Sequence, residues 1–449
     1  MLHDKIAPGP PGHFLLGSTR DIRHDPLRFG LEMVRQYGDI VRIRLLFWPA
    51  YLVNHPDGVK HVLQENPRNY HKDLAPYRLL KPLLGQGLVT NDGESWLQQR
   101  RLIRPAFHRK RLAAFGTLMT GATLTMLDQS QRFAGWDQPL EVAAEMLRLT
   151  LRIAGQALFN IDLSDETPTV GQAVASVNKL LSEYLYAPFP SLIIPTPRSR
   201  RLQAACRTLD QVVHDIITQR RQQNTDTGDL LSMLLLAHDE RTDQRMNDQQ
   251  VRDEVMTLLI AGHETVSTAL TWAWYLLSQH PEIERRLHSE LDDVLGGHLP
   301  TVEHLARLTY TRMVTEEVLR LYPPAWIFGR KAIADDEIGG YFVPANSMIV
   351  LSPYMTHRHP AFWDNPEVFE PERFAPEREA SRPHYAYFPF GGGPRMCIGS
   401  NFALMEMQLI LATVAQRYKL RLVPGHPVEP EALLSLRPRH GLPMTLRHA

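Results

Sequence analysis

The residues that could do chemistry concentrate around one of the chain's two cysteines. In Phe390-Gly391-Gly392-Gly393-Pro394-Arg395-Met396-Cys397-Ile398-Gly399, a cysteine follows a glycine-rich loop and precedes an apolar run of helical character, Phe402 to Val414. That order puts a thiol at a helix N-terminus, where backbone N–H groups and the positive dipole end lower its pKa and favour the permanent anion that an iron ligand has to be. Glycines let backbone lie against a flat macrocycle, Phe390 can shield the sulfur, and Arg395 can reach a carboxylate at the macrocycle edge. A haem-thiolate site meets each of these needs. The plainer alternative is a glycine-rich turn around a structural cysteine; a phosphate loop is excluded, because no Gly-Lys-Ser/Thr follows. Cys206, within the arginine-flanked helical segment Arg200 to Arg207, reads as structural.

Three further patterns are ordinary one at a time. Ala261-Gly262-His263-Glu264-Thr265 falls inside a long predicted helix, Asp248 to Gln279, and alone suggests only a kink-prone threonine beside an exposed glutamate. It is not a zinc-protease motif, since Ser267 stands where the second histidine belongs. Glu317-Val318-Leu319-Arg320 alone is an i,i+3 helical pair of the kind that makes weak surface salt bridges. Trp96-Leu97-Gln98-Gln99-Arg100 places Trp96 and Arg100 on one helical face, which with Arg101 and Arg104 beside it could be a solvated basic surface.

Together and in this order, the residues resemble the cytochrome P450 superfamily. The cysteine loop matches its haem-binding pattern, Phe-x-x-Gly-x-Arg-x-Cys-x-Gly, at all five fixed positions: Phe390, Gly393, Arg395, Cys397 and Gly399. Glu317 and Arg320 match its Glu-x-x-Arg, and Pro371-Glu372-Arg373-Phe374 matches the later loop whose arginine completes a Glu/Arg/Arg cluster. Trp96 and Arg100 match its Trp-x-x-x-Arg, and Ala261 to Thr265 its oxygen-binding segment, so the resemblance spans almost the whole chain. It implies that Cys397 is the axial thiolate of the iron of haem b. Trp96, Arg100, Ala261, Thr265, Arg330, Phe390, Arg395 and Gly399 would bind the haem, with Trp96 and Arg100 at one propionate and Arg330 at the other. Gly262 would let the long helix pass close to the distal face. The Thr265 hydroxyl would release its i−4 backbone bond and donate to dioxygen, while Glu264 relays protons from solvent. Glu317, Arg320 and Arg373 would lock the segment that presents Cys397. Arg101, Arg104, Arg109, Lys110 and Arg111 would form a basic face for an acidic electron donor.

The implied activity is a monooxygenase that inserts one oxygen atom of O₂ into an apolar small molecule, such as a fatty acid, terpenoid, carotenoid or steroid, and reduces the other to water. Electrons, ultimately from NAD(P)H, would come from a separate ferredoxin or flavodoxin with its reductase, since the one remaining cysteine cannot hold an iron–sulfur cluster. Tyr77, Tyr184, Tyr186, Trp326, Phe328 and Leu434 are the expected pocket residues. Two rivals are a haem-thiolate isomerase or dehydratase that uses no O₂, against which Gly262, Glu264 and Thr265 argue, and a haem sensor or carrier.

The elements that must position these residues fit an ordinary globular chain. With 449 residues, 49 Lys+Arg against 49 Asp+Glu, 43% hydrophobic and 22% charged residues, disorder and a dedicated nucleic-acid binder are excluded. His3, Asp4 and Lys5 followed by Pro8-Gly9-Pro10-Pro11-Gly12 leave no apolar run for a signal or membrane anchor, so a soluble, cytoplasmic protein is expected; a monomer is expected as well. Apolar spacing predicts a helix over Leu27 to Tyr37 ended by Gly38, then strands Val41 to Leu45 and Tyr51 to Val53 separated by a Trp48-Pro49 break. From Glu94 to about His288 the periodicity is helical, interrupted only by the loops Pro188 to Pro197 and Thr225 to Gly228; strands return only after Pro323. The expectation is one mainly α domain over 1–449 with a small β lobe, within about 1–90 and 323–360, and a helical body over about 94–322 and 400–418.

Overall fold

The computed structural model describes residues 5–130, 138–163, 167–185, 196–223, 227–236, 238–239 and 244–449. Helices make the body and strands a small lobe, as expected. The lobe's main sheet contains β1 (Ile40–Leu45), β2 (Trp48–Val53), β3 (Tyr70–His71), β4 (Phe328–Ala332) and β5 (Met348–Leu351), in the order β1-β2-β5-β4-β3. Strands from before residue 90 and after Pro323 therefore share one sheet. Alternation in β1 buries Val41 and Ile43 and turns Arg42 outward. The expected break at Trp48-Pro49 is absent: Pro49 lies within β2, opposite Arg44. The parallel pairing with β5 begins one residue later, at Ala50, so the missing N–H of Pro49 interrupts no bond on that side.

A second sheet joins β6 (Tyr418–Leu422) through a later strand, Pro443–His448, to Leu140–Glu141. Leu140–Glu141, and the pair His238–Asp239 with Gln244–Arg245, correct the expectation that no strand falls between Glu94 and Pro323. Two-residue strands carry no readable alternation, because their partners and not their pattern create them. A further antiparallel hairpin pairs β7 (Pro430–Ala432) with β8 (Leu436–Pro438).

Eight helices position the chemistry: α1 (Pro26–Tyr37), α2 (Gly93–Ile103), α3 (Val142–Phe159), α4 (Thr167–Leu185), α5 (Pro197–Gln223), α6 (Asp248–Gln279), α7 (Thr309–Leu321) and α8 (Ser400–Ala415). Cys206 is buried on α5, as a structural cysteine should be. The bounds of α6 have local causes. Asn247 accepts from the Gln250 N–H at 2.9 Å while the Gln250 side chain accepts from the Asn247 N–H at 2.9 Å, and Pro281 follows the C-cap His280. From Val251 to Leu277 the helix is largely buried, packed on α3 and touching α5, α7 and α8. Trp272 stacks on Tyr322 with ring centroids 3.9 Å apart and donates to the Leu436 carbonyl at 2.8 Å, which fixes the β7–β8 hairpin against α6.

Replacing Asn247 by Ala should remove about 1 kcal/mol of stability by leaving an orphaned N–H at the start of α6. A urea midpoint lowered without any change in haem spectrum is the expected result; an unchanged midpoint would show that the cap does not hold the helix.

Candidate functional site

The cysteine loop is set by backbone geometry before any ligand is considered. The Cys397 N–H donates to the Phe390 carbonyl at 2.9 Å, and Met396 N–H to Gly393 at 3.1 Å. Gly393 has φ +61°, and a Cβ there would come within 1.8 Å of the Leu63 carbonyl oxygen, so both conformation and space require glycine. Its N–H donates to the Tyr385 hydroxyl at 3.1 Å. Gly399 then caps α8, the helix that starts at Ser400.

Cys397 is an exposed residue, yet burial pushes its thiol pKa up, outweighing the Gly399 N–H and Arg100, which pull it down. The helix terminus alone therefore does not make the expected thiolate here; a cation bonded to sulfur would, because coordination deprotonates a thiol outright. Iron fits that requirement.

A second feature tests the same fit. Arg395 stacks over the Trp96 ring at 3.9 Å, Arg100 lies 5.7 Å from that ring, and Arg100 donates to the Met396 carbonyl at 2.8 Å. Arg395 meets Asp92 and the Asn91 carbonyl, the latter at 3.2 Å, so its observed carboxylate partner is the N-cap of α2. Arg330, buried on β4, donates to the Tyr77 hydroxyl at 3.2 Å. Lys72 donates to the Val89 carbonyl at 2.9 Å, and burial, Arg330, Arg395 and Arg100 pull its pKa well below the ordinary value, against Asp92. Four cations against one nearby carboxylate make a cradle that lacks negative charge. The two carboxylates of a haem would supply it. Sequence reasoning missed Lys72, because no local pattern marks it as part of this cluster.

On α6, Ala261 is exposed, and Thr265 donates its hydroxyl to the Ala261 carbonyl at 2.9 Å, the bond that the resemblance says it can release. Gly262 differs from expectation: a Cβ there would find Leu158 at 3.6 Å and Ala154 at 3.8 Å, so this glycine faces α3. His263 is fully buried, its Nδ1 2.6 Å from the Leu259 carbonyl, and burial pushes it down to about 4, which keeps it neutral. Glu264 also differs. Its Oε1 accepts from the Ser435 hydroxyl at 2.7 Å and from the Asn178 amide, so it is held by protein donors where solvent was expected. Burial raises its pKa, and Ser435, Arg437 and Asn178 oppose the rise.

Glu317 and Arg320 on α7 are both fully buried, so the surface-pair alternative fails. Arg320 is bidentate to Glu317 at 2.6 and 2.8 Å and donates to the carbonyls of His357, Pro366 and Val368 at 2.9, 2.7 and 3.1 Å. Arg373 stands 3.4 Å from Glu317, which also accepts the Glu370 N–H at 2.9 Å. His357 was not foreseen. Its Nε2 accepts the Phe388 N–H at 2.9 Å, so Nδ1 carries the proton toward the Arg320 carbonyl at 3.2 Å. The cluster thus reaches, through Phe388, the segment that carries Cys397.

The expected pocket residues separate. Phe328 lies beside the cysteine loop, where a Gly391 Cβ would be 3.9 Å from its ring, and Tyr77 donates to the Gly329 carbonyl at 3.2 Å. Leu434 sits in the β7–β8 turn, its N–H directed at Ser182 (3.1 Å) and Asn178 (3.3 Å). Tyr184 is buried on α4. Trp326 packs in the β-lobe core and donates to the Leu433 carbonyl at 2.8 Å, bracing that turn. Tyr186 lies outside the described residues, as do the side chains of Arg109 and Lys110.

Residues 7–442 match the cytochrome P450 family. The chain belongs to that family. It is 38% identical to the cyclooctatin synthase of Streptomyces melanosporofaciens over 96% of this chain and 93% of the relative. It is 39% identical to the cyclooctat-9-en-7-ol 5-monooxygenase of the same organism over 92% of this chain and 88% of the relative. The crystal structure of cytochrome P450DA heme domain superposes with a TM-score of 0.89 at 28% identity, over 99% of this chain and 98% of that one. As a cytochrome P450 the chain is a haem-dependent monooxygenase, and among the described residues no helix is long and apolar enough to cross a membrane.

Removing either partner of the Glu317–Arg320 pair leaves a buried charge alone, a loss of about 3–5 kcal/mol. Glu317→Ala and Arg320→Ala should therefore yield little haem-loaded protein, measured as the ratio of Soret to protein absorbance. Normal loading in either variant would remove the locking role.

Proposed function

We propose that this cytochrome P450 hydroxylates an apolar small molecule of terpenoid type, drawing electrons from a separate ferredoxin or flavodoxin and its reductase and ultimately from NAD(P)H. In this reading the chain is one catalytic domain acting as a cytoplasmic monomer. The names of two similar proteins, one a monooxygenase of an unsaturated alcohol, support the substrate class. The observation that carries the monooxygenase reading is the pair on α6: a threonine hydroxyl on a single i−4 backbone bond, next in sequence to an acid whose pKa is raised by burial. An isomerase needs neither group.

The chemistry that haem supplies when bound is activation of dioxygen and transfer of one of its atoms. Everything else falls to this chain's residues. Cys397 would provide the sulfur ligand, and the Phe390 carbonyl fixes its backbone. Arg100, Arg395, Arg330 and Lys72 would bind the two carboxylates, with Trp96 holding the first two guanidinium planes. Ala261, small and exposed on α6, would leave room for dioxygen. Thr265 offers a hydroxyl to dioxygen once its bond to Ala261 yields, and Glu264 holds the proton that Thr265 cannot itself replace. Phe328, Tyr77 and Leu434 line the substrate side, while Glu317, Arg320 and Arg373 keep the cysteine segment in register.

Thr265→Ala should still bind a substrate that shifts the Soret band and still consume NAD(P)H with a surrogate ferredoxin chain, yet release hydrogen peroxide in place of product. Loss of one positioned proton donor costs about 10²–10⁴-fold, so product formation should fall visibly even with a poor substrate. Glu264→Gln should slow turnover and enlarge the solvent isotope effect. Unchanged coupling in both variants, or conversion by the parent without O₂ or peroxide, would replace the monooxygenase reading with the isomerase one.

A further inference from the structure

Glu264 is bonded to two elements that lie far from it in sequence. Ser435, in the β7–β8 turn, donates to Oε1 at 2.7 Å, and Asn178, on α4, donates its side-chain N–H to the same oxygen. Asn178 also donates to the Ser435 hydroxyl at 3.3 Å. Its own amide is oriented by the opposite end: Oδ1 accepts the Leu434 N–H at 3.3 Å, a bond that Ser182 shares at 3.1 Å. Asn178, Ser182 and Ser435 are all buried. Four polar groups from three elements thus close one network whose only ionisable member is Glu264. Buried networks of this kind are costly to leave half-satisfied, so their members hold or fail together.

We propose that Asn178 and Ser435 are positioning residues for the acid of the reaction, so that proton delivery from Glu264 requires α4 and the β7–β8 turn to be docked on α6. This inference rests on the role given to Glu264 above. Both bonds converge on Oε1, so a proton would sit on Oε2, and the carboxyl plane is set by the two donors. Neither donor can hold the acid when its element moves away. Substrate enclosure and readiness of the acid then become one event. A chain with α4 displaced would lack both the pocket wall and the orientation of the proton donor.

The electrostatic consequence has a definite sign. Donors to a carboxylate favour its charged form. Asn178 and Ser435 hold the Glu264 pKa down against burial, and Arg437 on β8, itself paired with Glu431 at 3.2 Å, acts in the same direction. Removing either donor should raise the midpoint at which Glu264 loses its proton, and the alkaline limb of the coupling profile should move up with it.

The test uses the haem-loaded full chain. The infrared band of the protonated Glu264 carboxyl, assigned by its loss in Glu264→Gln, is followed against pH in the parent and in Asn178→Ala, Ser435→Ala and Ser435→Thr. A hydrogen bond to a charged group is worth about one pH unit, or tenfold. Both alanine variants should raise the midpoint by about that much, with Soret spectrum and loading unchanged, and Ser435→Thr, which keeps the hydroxyl, should restore it. Product formed per NAD(P)H, with the terpene alcohol that gives the largest Soret shift as probe, should fall in the alanine variants and recover in Ser435→Thr. A midpoint that stays with the parent in both alanine variants overturns the positioning role. A shifted midpoint together with unchanged coupling in Glu264→Gln overturns the catalytic role of Glu264 itself, and the link to catalysis falls with it.

Discussion

A thiolate inside a protein is stable only if something positive stands on it and nothing lets it move. Both requirements meet at Cys397. Burial raises the pKa of the free thiol above its ordinary value, so the sulfur gains its charge from the iron it would bind and not from the helix behind it. The backbone around it is over-determined: a carbonyl of Phe390 on the Cys397 N–H, a tyrosine hydroxyl on Gly393, and a glycine that Leu63 leaves no room to change. The rest of the fold can be understood as the means of keeping this loop in one place.

The buried charges divide into two groups with opposite logic. Glu317, Arg320 and Arg373 are closed on themselves, with the remaining donors of Arg320 spent on three backbone carbonyls of the segment leading to Cys397. Such a cluster needs no ligand, and its value lies in register. Lys72, Arg100, Arg330 and Arg395 are left with an excess of positive charge, and burial lowers the pKa of Lys72, Arg100 and Arg395 alike. The two carboxylates of a haem would complete that cluster. One group builds the site and the other would take up the cofactor, which would link haem binding to stability by mass action.

Sequence alone made legible whatever has a local cause. The long helix runs from Asp248 to Gln279 as read, because Asn247 with Gln250 starts it and Pro281 ends it. The cysteine loop, the Glu-x-x-Arg pair and Gly38 after α1 are likewise short-range patterns whose residue types are dictated by their own backbone. What escaped reading depends on distant partners. Lys72 belongs to the cation cluster only because β3 and β4 bring it to Arg330; His357 becomes a bridge only when Arg320 and Phe388 arrive on either side of it. Glu264 was read as open to solvent because nothing within its helix announces Asn178 or Ser435, which approach from residues 86 and 171 positions away. The two-residue strand Leu140–Glu141 exists because Pro443–His448 pairs with it.

The central claim is that Cys397 supplies a thiolate to haem iron, and the optical spectrum of the reduced protein under carbon monoxide tests it most directly. The sulfur ligand predicts a Soret band well to the red of that of a histidine-ligated globin, and Cys397→His should lose this displacement while Cys206→Ser keeps it. An imidazole-type band in freshly prepared, folded parent protein would contradict the account.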